Sequence, residues 1–240
     1  MSIEYAFKRS DGITSMWRQP GSGRVRGTVA RYLVAVAVGV ASADANAEQL
    51  LPEVSSPPTA AEWRVMPEYC PYTDGYNLKS HEAPEKQKWA RLLGDTFWAL
   101  HHYCTGILGF NRAQIAGYPA ITRRSLLSGS LGEFGYVVNH MPEGYVLAPE
   151  IYTYIGRAHL GINQPSHANA AFAKARAVKP DYWPAYSWWA TYLLNRGEKK
   201  EAREIVAEGL SHAPDSRTLQ LILQDLDSQK RGATSKRTSP

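Results

Sequence analysis

Residues 149–182 read PEIYTYIGRAHLGINQPSHANAAFAKARAVKPDY and residues 183–216 read WPAYSWWATYLLNRGEKKEAREIVAEGLSHAPDS, so one pattern occurs twice with a period of 34. Each copy carries bulky residues early, small residues later and a proline near its end. Positions 4, 7, 8, 11, 20, 24, 27 and 32 are first Tyr152, Ile155, Gly156, His159, Ala168, Phe172, Ala175 and Pro180, then Tyr186, Trp189, Ala190, Leu193, Ala202, Val206, Gly209 and Pro214.

This pattern predicts two antiparallel helices in each copy. Large residues line one stripe of the first helix, and small residues on the second let the two backbones approach. Gly161 and residues 195–197 are expected to supply the turn within each pair, and Pro180 and Pro214 to stop the second helix. Because one pair cannot bury its own apolar face, further helices are expected before and after these two copies.

Two adjacent copies in this order resemble the tetratricopeptide repeat (TPR). The resemblance implies an all-α fold, a solenoid of helical hairpins. Members of that family are chiefly scaffolds that bind peptides or partner proteins in a groove lined by the first helix of each pair. Matching the groove positions to this chain gives Glu150, Thr153, Arg157, Leu160 and Gly161 in one repeat, and Pro184, Ser187, Thr191, Leu194 and Asn195 in the next.

A partner-binding surface is therefore predicted on this groove. Arg157 is its cation, and we expect it to anchor an acidic or carbonyl group of the partner. Trp188 and Tyr192 lie four residues apart and off the core stripe, and they are either covered by the preceding repeat or exposed as an aromatic patch. The predicted partner-binding residues are Thr153, Arg157, Ser187, Trp188, Thr191, Tyr192 and Asn195.

The N-terminal region has the features of a cleaved signal peptide over residues 1–47. Arginines precede an apolar run at residues 32–41, and Ala45 and Ala47 suit a signal peptidase that cuts after Ala47. Met16 is an alternative start. The run is about half of the roughly 20 residues that a spanning helix needs. We therefore expect a periplasmic or secreted protein with no membrane insertion after cleavage.

The charge of the chain gives little support for nucleic-acid binding. Its formal net charge is +5, but the first 47 residues hold six of the 27 basic and three of the 22 acidic residues, which leaves +2 for the remainder. No basic stripe interleaved with aromatics follows. The predicted partner is another envelope protein or subunit, not nucleic acid.

Residues 48–84 are rich in proline and predict an extended arm, with helix resuming near Glu85. The two cysteines are Cys70 in the arm and Cys104 on that helix. In an exported protein they are expected to form a disulfide, which would hold the arm against the helical body. The alternative is a pair of buried thiols. The motifs PEYC and HHYC that contain them resemble those of small bacterial envelope TPR proteins.

The remaining segments complete the predicted domains. Residues 85–148 form a divergent helical hairpin, with Leu100, Tyr103, Cys104 and Ile107 at positions 4, 7, 8 and 11 and a second helix over residues 123–140. Residues 149–182 and 183–216 are the two repeats, residues 217–228 a capping helix and residues 229–240 a disordered basic tail.

No motif for catalysis is present. The chain lacks GxSxG, HExxH, P-loop and GxGxxG patterns, so we expect a binding protein with no catalytic residue and no cofactor. His101 and His102 are weak metal candidates, since adjacent histidines on a helix point about 100° apart. The leading prediction is an exported scaffold or adaptor in an envelope assembly. The alternative is an accessory subunit that binds a saccharide or metal between the arm and the first hairpin.

Overall fold

The computed structural model describes residues 56–75 and 83–237, with side chains for 56–75 and 84–228. All regular elements in these ranges are helical and none is a β-strand, which confirms the all-α class for the described chain. The signal peptide predicted over residues 1–47, its alternative start and cleavage site, and the first residues of the arm lie outside the described ranges.

The described chain contains nine α-helices and two short 3-10 turns, and it divides into a unit up to Glu68 and a unit from Tyr69 onward. The 3-10 turns are Cys70–Tyr72 and Asp95–Ala99. The helices are α1 Ala60–Trp63, α2 Ala83–Leu93, α3 Leu100–Arg112, α4 Ala120–His140, α5 Ala148–Gly161, α6 Pro165–Val178, α7 Trp183–Asn195, α8 Lys199–His212 and α9 Arg217–Arg237.

Helix α1 lies in the first unit, within the arm that was expected to be extended. The Thr59 hydroxyl accepts a hydrogen bond from the Glu62 backbone N–H at 3.2 Å, and the Glu62 carboxylate accepts one from the Thr59 N–H at 2.7 Å. This capping box stabilises the first turn of a helix. It explains why a helical turn forms directly after two prolines.

The second unit has a helical-repeat-like architecture. Helices α3 and α4, α5 and α6, and α7 and α8 pack as consecutive pairs, and α9 covers α7 and α8. The last pair encloses a core of Tyr186, Ala190, Val206 and Leu219, the last contributed by α9. A helix after Pro214 is therefore present where the unsatisfied apolar face of α7 and α8 predicts one.

Each pair crosses where a glycine meets an aromatic ring. A Cβ atom on Gly156 of α5 would lie 2.7 Å from the Phe172 ring of α6, and one on Gly209 of α8 would lie 2.8 Å from the Tyr186 ring of α7. Both distances are shorter than a carbon atom tolerates. The small residues at these positions are therefore required by the close approach of the backbones.

The two helices of the first pair cross at a glycine that does not occupy the small-residue position of the repeat pattern. Phe134 on α4 packs against Gly106 on α3, at 2.4 Å from the position of an added Cβ atom. Cys104, which the pattern places at the small-residue position, instead lies opposite Cys70. The register of this divergent hairpin is thus shifted by two residues from the predicted one.

The turn between α5 and α6 also differs from its prediction. Asn163 has the left-handed backbone conformation there, with a φ of 62°, while Gly161 is the last residue of α5. An added Cβ atom on Gly161 would lie 2.5 Å from a methyl carbon of Leu127. Gly161 therefore serves the packing of α5 on α4. Gly197, with a φ of 81°, has the turn role that was expected of it.

Two helix boundaries differ from their predicted positions. The helix expected to run on from Glu85 is broken at Gly94, whose φ of 69° cannot continue an α-helix, so α2 and α3 are separate. At the other end α9 continues to Arg237, which includes residues 229–237 of the predicted disordered tail. No proline lies between Pro214 and Pro240 to stop this helix.

Cys70 and Cys104 are at disulfide distance, as the sequence predicts. Their sulfur atoms are 2.04 Å apart and their Cα atoms 5.7 Å apart. Both residues are fully buried, and the bridge joins the first 3-10 turn to α3. The segment that begins at Tyr69 is therefore held against the first helix pair.

Replacing Gly156 with alanine tests the crossing constraint. The added methyl group meets the buried Phe172 ring, so we expect Gly156→Ala to lower the free energy of unfolding by about 1–3 kcal/mol. Gly132→Ala is the matched control, because an added Cβ atom meets nothing within 4 Å there. It should stabilise helix α4 by about 0.5–1 kcal/mol. Equal urea midpoints for the two variants would contradict this account.

The disulfide can be tested by its removal. Closing a loop of 34 residues restricts the unfolded chain, so the double variant Cys70→Ser/Cys104→Ser should lose about 3–4 kcal/mol of unfolding free energy. The wild-type protein in reducing buffer should unfold at the same denaturant concentration as the double variant. A wild-type midpoint that does not respond to reductant would show that the bridge does not form.

Candidate functional site

Arg157 joins the first helices of three consecutive pairs. Its guanidinium carbon lies 4.1 Å from the ring centre of Trp188 on α7, 4.5 Å from that of Phe110 on α3 and 5.0 Å from that of Tyr154 on its own helix α5. Contacts between a guanidinium and an aromatic face are worth about 0.5–2 kcal/mol each, more when water is excluded. This stack defines the face on which α3, α5 and α7 lie next to one another.

The environment of Arg157 is mostly apolar. Burial lowers the pKa of its guanidinium, and the nearby Tyr154 hydroxyl acts in the opposite direction. The Arg157 side chain thus packs against the rings of Phe110, Tyr154 and Trp188. Its predicted role as the anchor of an acidic partner group remains a prediction, and such a group has to approach the edge that the rings leave open.

Glu150 lies one turn before Tyr154 on α5 and is partly buried. Burial is the main cause that raises the pKa of its carboxyl, while the Tyr103 hydroxyl and the charge of Arg157 lower it. Within the described residues its carboxylate makes no ion pair within 4.0 Å. The negative charge at this position is therefore poorly compensated.

Four tyrosines, Tyr69, Tyr103, Tyr154 and Tyr182, lie within electrostatic reach of Glu150. The hydroxyls of Tyr69, Tyr103 and Tyr145 are buried and have no hydrogen-bond partner of good geometry among the described residues. The Tyr103 hydroxyl still lies near enough to the Glu150 carboxyl to lower its pKa. Burial first, and the charge of Glu150 second, raise the pKa values of Tyr69, Tyr103 and Tyr182 well above the ordinary value of 10.0.

The structure does not bring all of the predicted groove residues to the surface. Thr153 is buried and its hydroxyl lacks a partner in the described chain, while the buried Ser187 donates to the Pro184 carbonyl at 3.1 Å. Thr191 is partly exposed and Asn195 is exposed. The accessible part of the predicted surface therefore lies mainly along α7.

Trp188 and Tyr192 were expected to be either covered by the preceding repeat or exposed as an aromatic patch. Each side chain is partly buried and partly exposed, so the structure lies between these two alternatives. Trp188 covers Arg157 of the preceding pair. Tyr192 stacks on Trp189 with ring centres 5.1 Å apart, and the Arg196 guanidinium lies 5.9 Å from its ring. Both rings thus make contacts within the protein and keep part of their surface accessible.

The histidines that were weak metal candidates take part in a stack of rings. The His101 Nδ1–H donates to the Trp98 carbonyl at 2.8 Å, and the His102 Nδ1–H donates to Glu133 at 2.7 Å. His102 lies between His101 and Tyr136, with ring centres 4.2 and 3.8 Å away. In the part of the chain that the structure describes, no group of three histidine, cysteine or acidic side chains is arranged to hold a metal.

No protein-family model, curated protein or solved structure matches this chain. Among the described residues, no helix has both the length and the apolar character needed to cross a membrane.

Several residues of this site were not selected from the sequence. Tyr69 lies far from Glu150 along the chain, and Tyr145 and Phe110 lie outside the two clear repeats. The paired cysteines are the sequence signal that places Tyr69 beside the first helix pair. Glu150 was matched to a groove position, but a carboxylate in the first turn of a helix usually interacts with the helix dipole, which gives no hint of its tyrosine neighbours.

A Glu150→Gln variant tests the uncompensated carboxyl. Because burial raises its folded-state pKa above the ordinary 4.5, the stability that Glu150 contributes is present below that pH and is lost as the pH rises through the folded pKa. We expect Glu150→Gln to be more stable than wild type at neutral pH, and this gain to shrink as the pH falls towards 4.5.

Urea unfolding at a series of pH values measures this difference. Glu143→Gln is the control, since Glu143 is exposed just before the same helix. A stability difference for Glu150→Gln that does not change with pH would contradict the assignment.

Proposed function

We propose that this protein is an exported scaffold of the TPR type, which binds a partner protein or peptide in a bacterial envelope assembly. The observation that carries the proposal is the common face of α3, α5 and α7, which are joined by the Arg157 stack. A row of adjacent first helices suits an extended partner, because successive side chains of the partner meet successive helices.

Support for the TPR type comes from the residues that repeat at 34-residue spacing. Ala168, Phe172 and Ala175 on α6 are fully buried, and so are Ala202 and Val206 at the corresponding positions of α8. Phe172 also contacts Trp189 of the next pair, with ring centres 6.1 Å apart. Packing of each pair on its neighbour is what a repeat solenoid requires.

Support for export comes from the cysteine pair. Structural disulfides persist in oxidising compartments and are rare in the bacterial cytoplasm. Together with the signal-like residues 1–47, the bridge between Cys70 and Cys104 favours the periplasm or the cell exterior. There the bridge would keep the segment around Tyr69 at one end of the binding face.

The partner contact is expected to centre on α7. Tyrosine and tryptophan are the residues that most often carry binding energy at protein interfaces, particularly when arginine lies beside them. Trp188 and Tyr192 supply partly exposed rings, and Thr191 and Asn195 supply polar groups at the same face. This mixture fits a peptide segment with at least one apolar anchor.

The alternative function, an accessory subunit for a saccharide, has one observation in its favour. Trp98 is 48% exposed, and its ring contacts His140 at 5.3 Å and Tyr136 at 6.1 Å between centres. An exposed ring supported from behind can stack on a sugar face. This stack lies outside the α3, α5 and α7 face, so the two functions use different residues.

Partner capture from the envelope separates the two functions. The protein would carry a C-terminal tag, be crosslinked lightly in the native cell and be purified from the envelope fraction, with co-purifying proteins identified by mass spectrometry. Trp188→Ala should lower the affinity for the captured partner by roughly 30-fold, the effect of losing a central aromatic anchor worth about 2 kcal/mol. Calorimetric titration of the purified pair measures the change.

Trp98→Ala is the matched control, since it removes an exposed tryptophan from another face. It should bind the partner with unchanged affinity. Full partner affinity in Trp188→Ala, together with loss in Trp98→Ala, would move the binding site to the ring stack and contradict the proposal.

A further inference from the structure

The last helix is longer than the pair that it covers. Helix α9 spans 21 residues, whereas α7 and α8 span 13 and 14. At about 1.5 Å per residue, the difference corresponds to roughly 10 Å of additional helix. One end of α9 therefore extends past the last pair.

Two contacts show that the C-terminal end of α9 is the one that extends. An added Cβ atom on Gly209 of α8 would lie 2.7 Å from a methyl carbon of Leu219, near the start of α9. Further along, Asp227 pairs with Arg203 of α8 at 2.7 Å. The two helices thus run antiparallel, and α8 begins level with about the fourth residue after Asp227. Roughly the last six residues of α9 lie beyond that point.

The stripe of α9 that packs on the last pair changes character where the helix extends. Leu219 and Leu226 are buried on this stripe. Counting on from Leu226 in the helical steps of four and three gives Lys230, Ala233 and Arg237. A stripe that met a further helix would stay apolar. The residues at these positions instead suit water or a charged surface.

Basic residues from two segments meet at this end of the molecule. Helix α7 ends and α8 begins there, and the last part of α9 runs past them. We call residues 196–200 and 228–237 the basic end. These two segments contain one acidic residue, Glu198, and seven basic residues, Arg196, Lys199, Lys200, Lys230, Arg231, Lys236 and Arg237.

The charge of the chain is divided unequally between the basic end and the rest. Residues 48–240 carry 21 basic and 19 acidic residues, so 14 basic and 18 acidic residues lie outside the basic end. A small net charge thus conceals a positive end on an otherwise negative chain. An anionic surface would attract the basic end and repel the remainder, which favours one orientation of the protein.

The basic end has almost no apolar surface to offer to a partner. Ala233 is the only hydrophobic residue in its two segments. A protein interface usually has an apolar centre that excludes water. Attraction to anionic lipid headgroups needs only basic residues within a Debye length of the surface. The composition of the basic end therefore favours a lipid surface over an acidic protein.

We infer that the basic end docks on an anionic phospholipid surface, with lipid phosphates as the charge partners of its lysines and arginines. Helix α9 lies on the headgroups and does not insert, because its last part lacks the apolar residues that insertion requires. This inference goes beyond the proposed function. It concerns where the protein is held, whereas the α3, α5 and α7 face concerns which partner it binds.

Co-sedimentation with lipid vesicles tests the docking. The oxidised protein, purified from the envelope fraction, is mixed with phosphatidylcholine vesicles that contain or lack phosphatidylglycerol. We expect binding to the anionic vesicles at low salt, loss of this binding at high salt, and none to the neutral vesicles. Equal binding to both kinds of vesicle would overturn the inference.

A double variant locates the contact on α9. Each basic residue near an anionic surface contributes about fivefold to binding, so Lys236→Gln/Arg237→Gln should weaken vesicle binding roughly 30-fold. The thermal midpoint should not change, because both residues lie well past Leu226, the last buried leucine of the helix.

Arg123→Gln/Arg124→Gln is the matched control. It removes the same charge from an exposed pair of adjacent arginines at the start of α4. This variant should bind anionic vesicles within about twofold of wild type, since charges farther from the surface than a Debye length are screened. Equal weakening by the two double variants would show that net charge alone is responsible, and would overturn the inference.

Two soluble probes test the other possible occupants. A polyglutamate peptide represents an acidic protein segment, and a double-stranded oligonucleotide represents nucleic acid. Binding of either probe through Lys236 and Arg237, without binding to anionic vesicles, would overturn the lipid surface. Partner capture that depends on Trp188 would still stand in that case. Failure of this inference and failure of the proposed function are therefore distinguishable.

Discussion

The close crossing of paired helices, with a glycine against an aromatic ring, is the constraint on which the rest of this structure depends. It recurs as Gly106 with Phe134, Gly156 with Phe172 and Gly209 with Tyr186. Because the backbones approach at these points, each pair becomes a thin layer, and successive layers can stack in register. The stacking brings α3, α5 and α7 side by side, and only then can one arginine reach rings on all three helices. The candidate binding face is thus a consequence of the crossings.

Much of the fold of the two clear repeats could be predicted, because the residues that are buried there follow from spacing within each helix. The small and large residues of α5 to α8 lie at regular spacing within each helix, and Pro180 and Pro214 each lie two residues beyond the end of a helix. The first hairpin was harder. Its pattern allows two registers, and the choice between Cys104 and Gly106 depends on how Phe134 approaches from a distant part of the chain. Local spacing cannot resolve a contact of that kind.

The candidate site could be predicted less well, for a related physical reason. Groove positions follow from the repeat, so Arg157, Trp188 and Tyr192 could be selected in advance. Their surroundings could not, because Phe110, Tyr69 and Tyr145 enter from segments outside the repeat. The cysteine pair was the long-range signal in the sequence that named two residues. It correctly placed the segment around Tyr69 beside α3, but it carried no information about which polar groups would meet there.

The surroundings of Glu150 depart from what stability alone would select. The crossings, the buried alanines and the disulfide all favour the folded chain over the unfolded one, whereas a desolvated carboxyl and buried hydroxyls without partners disfavour it. Phenylalanine in place of Tyr69, Tyr103 or Tyr145 would keep the rings and remove that cost. Departures from locally consistent design are expected at functional sites. Glu150 lies at a predicted groove position and one turn before Tyr154 of the Arg157 stack, so its unfavourable environment coincides with the face that the helix pairs assemble. That coincidence favours a role for Glu150 in binding over a role in the packing of the core.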